Sequence, residues 1–129
     1  MGITLNLGFG TVKIYGRYII AEVNEGVVLG HEHHDVLEEI AETYYHNTTF
    51  VYISHRIHSY AVDPMIYVRT SKLTNLVGFA YVSEHTLPLT NAQLEKAFLK
   101  KPNFMGRNLE NAIQWAIELT EKEQHLVLQ

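Results

Sequence analysis

The residues best suited to chemistry are concentrated in two short polar stretches. The first places imidazole, guanidinium, hydroxyl and phenol groups within six positions: His55, Arg56, His58, Ser59 and Tyr60. The second joins a carboxylate to an imidazole: Glu84 and His85. Imidazole titrates near neutral pH and can act as acid, base or ligand, while guanidinium pairs with anions. These seven residues form the predicted site.

Two strands must position these stretches. Residues 50–53 form a nearly continuous apolar run, which is typical of a buried parallel strand, and residues 76–82 predict the next strand. Ligands of open parallel sheets bind outside the carboxyl ends of the strands. We therefore expect the site in the loops 24–30, 54–63 and 83–88, provided that the two strands are neighbours.

The site has more than one interpretation. A small hydrolase or transferase would use His55, His58 and His85 for proton transfer. Alternatively, His55 and His58 are solvated, Arg56 pairs with a surface carboxylate, and Tyr60 packs over the start of a helix. No nucleophile, base and orienting group can be assembled from the spacing, and phosphate-binding or dinucleotide motifs are missing from the sequence.

A second polar cluster, His31-Glu32-His33-His34, begins a predicted helix. His31 and His34 are three positions apart and can share a helical face, so a histidine-based Zn, Ni or Cu site is an alternative function. Two ligands do not complete such a site. The other interpretation is that His33 packs against the apolar side of the helix while its neighbours are solvated, and we expect no metal or cofactor.

The remaining elements alternate between strand and helix. Residues 11–15 and 18–24 predict a hairpin whose Gly16-Arg17 turn is of type II′. Helical spacing predicts a first helix over residues 31–46. Asp63-Pro64 is a strong start for a second helix that runs to about Leu73.

The last third of the chain predicts two more helices. Thr90 and Gln93 form a capping box for a third helix that ends near Lys101-Pro102. After an extended piece over residues 103–105, a fourth helix begins near Asn108 and frays after Lys122. The fold class is therefore α/β: an N-terminal hairpin, then four strand-helix turns in a mostly parallel sheet, all within one domain of residues 1–129.

Composition narrows the class of protein. The chain has 129 residues, 47% of them hydrophobic, and a formal charge of −4, which argues against a nucleic-acid-binding protein. It has no cysteine, and no apolar run approaches the ~20 residues of a membrane-spanning helix. We expect a cytoplasmic protein with no membrane insertion, for which a homodimer stays open.

The layout and the sequences NEGVVLGHEHHDVLEEIAE, FVYISHRIHSYAVDP and LENAIQWAIEL resemble the STAS/SEC14-like group of small bacterial domains. The resemblance covers nearly the whole chain and implies the fold of anti-sigma factor antagonists. Those proteins use a serine at the start of the second helix, in an Asp-Ser-x-Gly motif, which a partner kinase phosphorylates. Here Ser59 is the nearest hydroxyl, and it lacks both the preceding Asp and the following Gly.

The sequence therefore predicts a noncatalytic regulatory or binding module. A protein partner or a small ligand would meet the loops after the parallel strands, at the seven residues named above. The hydrolase or transferase and the metal-binding protein are its alternatives.

Overall fold

The structure, a computed structural model, describes residues 2–58, 60–84 and 101–128. These ranges contain eight strands: β1 (Ile3–Leu7), β2 (Gly10–Ile14), β3 (Tyr18–Val23), β4 (Val28–Leu29), β5 (Phe50–His55), β6 (Ala61–Val62), β7 (Leu76–Val82) and β8 (Asn103–Gly106). They also contain three helices: α1 (His31–Tyr44), α2 (Pro64–Thr70) and α3 (Leu109–Leu128).

Six of the strands form one sheet in the order β1-β2-β3-β5-β7-β8. The first two pairings are antiparallel, and the other three are parallel. Strands β4 and β6 form a separate parallel pair. The fold is thus α/β with a mostly parallel sheet, as the alternation of strand and helix predicts.

The N-terminal unit differs from the predicted hairpin in two ways. Strand β1 adds a third antiparallel strand, so the unit is a three-stranded meander. The type II′ turn is wrong, because Gly16 does not have a positive φ. The left-handed backbone lies instead at Gly10, where φ is 153° and a Cβ would meet the Glu22 carbonyl oxygen at 2.1 Å. Only glycine fits this start of β2.

The helices begin near the predicted residues and end elsewhere. Helix α1 stops at Tyr44, and α2 stops at Thr70 after its Asp63 cap. Helix α3 continues to Leu128, beyond Lys122, after which the sequence predicts fraying. Buried Thr120 anchors this helix, since its carbonyl accepts a 3.2 Å hydrogen bond from Thr49 Oγ1. The helix predicted from Thr90 to near Lys101 falls almost entirely within residues 85–100, which are outside the described residues.

Apolar side chains cover both faces of the sheet. Alternation along β5 directs Phe50 and Tyr52 to the face covered by α1 and α2, and Val51 and Ile53 to the face covered by α3. A third, smaller cluster lies under β4 and β6 and contains Val23, Leu29, Tyr60 and Ile66. In the described part of the chain no helix is long and apolar enough to cross a lipid bilayer.

Candidate functional site

Strands β5 and β7 are parallel neighbours, as the predicted site requires. His55 pairs with Val82 in their register, and the backbone N–H of Arg56 donates to the Val82 carbonyl at 2.8 Å. The segments that follow the two strands therefore start side by side at the carboxyl-end edge of the sheet. Ser59 and His85, two of the seven predicted site residues, lie outside the described residues.

The structure brings together two of the other five predicted residues, Arg56 and Tyr60, and sets His55 apart from them. His55 follows Val51 and Ile53 on the face covered by α3, because side chains alternate along a strand. Its Nδ1 lies 3.4 Å from Glu22 Oε1 on neighbouring β3. Arg56 contacts Tyr81, a residue of the opposite face, so the side chains of His55 and Arg56 meet different faces of the sheet.

His58 and Glu84 are both exposed. Among the described residues, no carboxylate of Glu84 or of another residue lies within ion-pair distance of Arg56. Within the described residues, Arg56 therefore has no surface carboxylate as a partner, contrary to one interpretation of the sequence.

Arg56 is held by tyrosines. Its Nη1 donates to the hydroxyl of Tyr81, and its Nη2 donates to the backbone carbonyl of Tyr60. The guanidinium carbon also lies 4.2 Å from the centre of the Tyr60 ring, in a cation–π arrangement. These contacts fix the plane of the guanidinium at the carboxyl ends of β5 and β7.

Tyr60 closes a small cavity between the sheet and the two helices α1 and α2. The cavity measures about 20 Å³, and a single water needs ~10–15 Å³. Its polar wall includes Ser54, whose Oγ lies 2.9 Å from the Tyr60 hydroxyl. The other lining residues are Leu29, His33, Leu37, Tyr52, Val62, Ile66, Tyr67, Thr70 and Phe79.

Burial shifts the pKa values of several groups at or near this cavity in the direction that favours their neutral forms. Burial raises the pKa of Tyr81 to about 12, with a further increase from Tyr60 that Arg56 partly offsets. Burial also raises the pKa values of Tyr52 and Tyr67 well above that of a free tyrosine. Burial, with a smaller contribution from His34, lowers the pKa of His33 to about 4. At neutral pH these groups present uncharged hydroxyls and an uncharged imidazole.

The histidines of α1 are engaged with other side chains rather than gathered around a metal site. His34 is buried, contrary to the prediction that the neighbours of His33 are solvated, and its Nδ1 lies 3.3 Å from Thr70 Oγ1. Its Nε2 is 3.1 Å from Glu38 Oε2. The Nδ1 of His31 lies 2.8 Å from an Arg69 nitrogen, whose positive charge opposes a cation there. Across the described residues, no group of three potential ligands is close enough to hold a metal ion.

Sequence reasoning missed most of the residues around the cavity. The sequence does hold one indication of them. Side chains alternate between the two faces of a strand, so the apolar run of β5 places Tyr52 and Ser54 on the face opposite His55. No sequence pattern indicated that a residue of α1 would line the cavity. His33 reaches the cavity through a 3.0 Å contact of its Nε2 with the Tyr52 hydroxyl, which depends on how α1 packs on the sheet.

Comparisons with protein-family models, with curated proteins and with solved structures found no match to this chain.

Proposed function

We propose that this chain is a noncatalytic binding module whose protein partner meets the surface after the parallel strands. The observation that carries the proposal is a set of three exposed apolar side chains in the segments around Arg56, β4 and the start of α2, here named the apolar rim: Val28, Ile57 and Met65. These side chains are 72%, 51% and 56% exposed. Exposed apolar side chains gathered in one region are typical of protein interaction sites.

The backbone brings the members of the apolar rim into one region. Strand β4 pairs with β6, which sets Val28 beside Ala61. Ile57 lies four residues before Ala61. Met65 lies in the first turn of α2, where its N–H donates to the capping Asp63 carboxylate at 3.0 Å. The third apolar cluster supports this region from beneath. A partner would therefore meet segments that the β4–β6 pairing and the Asp63 cap already position.

The histidine geometry supports a noncatalytic module. The enzyme alternative needs His55, His58 and His85 to converge on one substrate. His55 lies on the face covered by α3, and exposed His58 has no described contact that would orient it. Tyr52 at the cavity and Tyr81 beside Arg56 keep their protons at neutral pH, so they do not serve as bases. These observations favour recognition over turnover.

Contact regulation would also agree with the resemblance to STAS/SEC14-like domains, which stays a prediction. Phosphorylation of Ser59, two positions after Ile57 in the sequence, would add negative charge to this segment of the chain. In that case phosphorylation would change binding of the partner.

Photo-cross-linking tests the proposal. We would replace Ile57 by p-benzoylphenylalanine in cells that make the protein naturally and look for a discrete, heavier adduct. Ile3 is the matched control, because it is 48% exposed but lies on β1 at the far edge of the sheet. We expect an adduct from position 57 and none of that mass from position 3.

A charged substitution completes the test. Met65→Asp should greatly reduce the adduct from position 57 while the melting temperature stays unchanged, since the Met65 side chain is largely exposed. If position 57 gives no adduct, or if both positions give the same adduct, the proposed surface is wrong.

A further inference from the structure

Arg56 carries a charge that the described part of the chain leaves uncompensated. A guanidinium has five N–H donors, and two of those on Arg56 are used by Tyr81 and by the Tyr60 carbonyl. The other three have no acceptor among the described residues. Arg69 provides the contrast, since its Nη2 lies 3.7 Å from the Asp35 carboxylate.

The position of Arg56 makes this charge available to a ligand. The guanidinium is partly buried, and a partly buried charge without a counter-ion is unfavourable. Its plane is fixed by the Tyr60 ring and by the Tyr81 hydroxyl. A fixed, planar donor group loses little conformational freedom when an anion binds to it.

The chemistry of the site selects the kind of anion. A planar guanidinium matches the two oxygens of a carboxylate. One positive charge balances one negative charge, and the phenol groups of Tyr60 and Tyr81 beside Arg56 supply no second cation. A phosphate dianion would leave a negative charge uncompensated in this partly buried place.

We propose that Arg56 is the anion-binding residue of this module and takes a carboxylate. The inference rests on the proposed function in one respect: the carboxylate then belongs to a side chain or to the C-terminus of the protein partner, at the edge of the apolar rim. A free organic carboxylate offers the same chemistry, and the experiment separates the two sources.

The direct test is a titration followed by ¹H–¹⁵N NMR spectroscopy. Sodium acetate is the probe, acetamide is its neutral isostere, and sodium chloride matches the ionic strength. We expect acetate to shift the amide signals of Arg56, Ile57 and Tyr60 saturably, with a dissociation constant in the millimolar range. Equal shifts from acetate, acetamide and chloride would overturn the inference.

Variants assign the shifts to the guanidinium. Arg56→Gln should abolish saturation by acetate, while Arg69→Gln should leave it unchanged. Tyr81→Phe removes one group that orients Arg56 and should weaken acetate binding several-fold, which provides a test if the Arg56 variant fails to fold. Saturation that survives in a folded Arg56→Gln protein, or that is unchanged in Tyr81→Phe, would contradict the assignment.

The two proposals fail in different ways. If acetate binds at Arg56 but position 57 gives no cross-linked adduct, the anion site stands with a free carboxylate as its ligand, and the protein partner is wrong. If the adduct forms equally well with Arg56→Gln, the partner stands and the carboxylate contact is wrong.

Discussion

His33 lies between α1 and the sheet, 4% exposed, with its Nε2 bonded to the Tyr52 hydroxyl and its ring edge-on to Phe9. Its Nδ1 is buried and has no hydrogen-bond partner among the described residues. A proton on this ring would place a positive charge in surroundings where the described residues offer no counter-ion. The folded state therefore favours the neutral imidazole.

This preference predicts a dependence of stability on pH. The pKa of His33 is about 4 in the folded state, below the ~6.5 of an unfolded histidine, so the unfolded chain binds more protons between these values. The contribution is fully present above pH ~6.5 and is lost as the pH falls toward 4, by up to about 3 kcal/mol. Urea denaturation at several pH values measures it.

Two substitutions isolate the contribution of His33. His33→Gln keeps a polar group near Tyr52 and removes the titration, so its free energy of unfolding should fall less between pH 6.5 and 4.5. His46→Gln is the control, because His46 is exposed. In this variant the free energy of unfolding should change with pH as it does in the wild type. An unchanged slope in His33→Gln would show that other groups carry the pH dependence.

At the scale of the elements, helix α3 packs closely on the sheet at Gly78. A Cβ at this position of β7 would lie 2.5 Å from Leu119 Cδ2 and 3.1 Å from the Trp115 ring, both on α3. Gly78→Ala should therefore displace α3 and lower the free energy of unfolding by about 1–3 kcal/mol. Gly16→Ala is the matched control, since nothing lies within 4 Å of its Cβ position.

A double variant checks that the cause is contact with α3. Leu119→Ala removes the atom closest to the new Cβ. The double variant Gly78→Ala/Leu119→Ala should therefore lose less free energy of unfolding than the sum of the losses in the two single variants. Chemical denaturation gives all three values. Strict additivity would mean that Gly78→Ala acts through the strand alone.

The elements that sequence reasoning predicted best are those with a strong local pattern. The run Leu76–Val82 is bounded as predicted, and Asp63-Pro64 starts α2, because each depends on neighbouring residues alone. Strands β4 and β6 have two residues each and no period to detect. The partners of Arg56 were not predicted, since Tyr81 is 25 residues away and reaches it only through the β5–β7 pairing.

At the scale of the whole molecule, β5 and β7 connect the apolar clusters on the two faces. Phe79 and Tyr81 belong to the cluster under α1 and α2, whereas Ala80 and Val82 belong to the cluster under α3. Neither cluster can be lost while the other keeps its strands intact. The domain should therefore unfold in one cooperative transition.

The single tryptophan makes this testable. Trp115 packs with Phe104 on the α3 face, so its fluorescence reports that face, while far-UV circular dichroism reports all the helices. We expect the two urea transitions to coincide in the wild type and in Gly78→Ala. A fluorescence transition at lower urea would show that α3 detaches first.

The two edges of the sheet are unequal, and this affects the protein in concentrated solution. The β8 edge has four residues and follows Lys101-Pro102, whereas the β1 edge has five residues in a stretch, positions 1–12, without a charged side chain. An uncharged edge strand can pair antiparallel with its own copy. Association, including the homodimer that the sequence left open, should therefore begin at β1. Thr4→Lys would place a charge at an exposed position of this edge and oppose pairing. Light scattering should then rise less steeply with protein concentration than in the wild type.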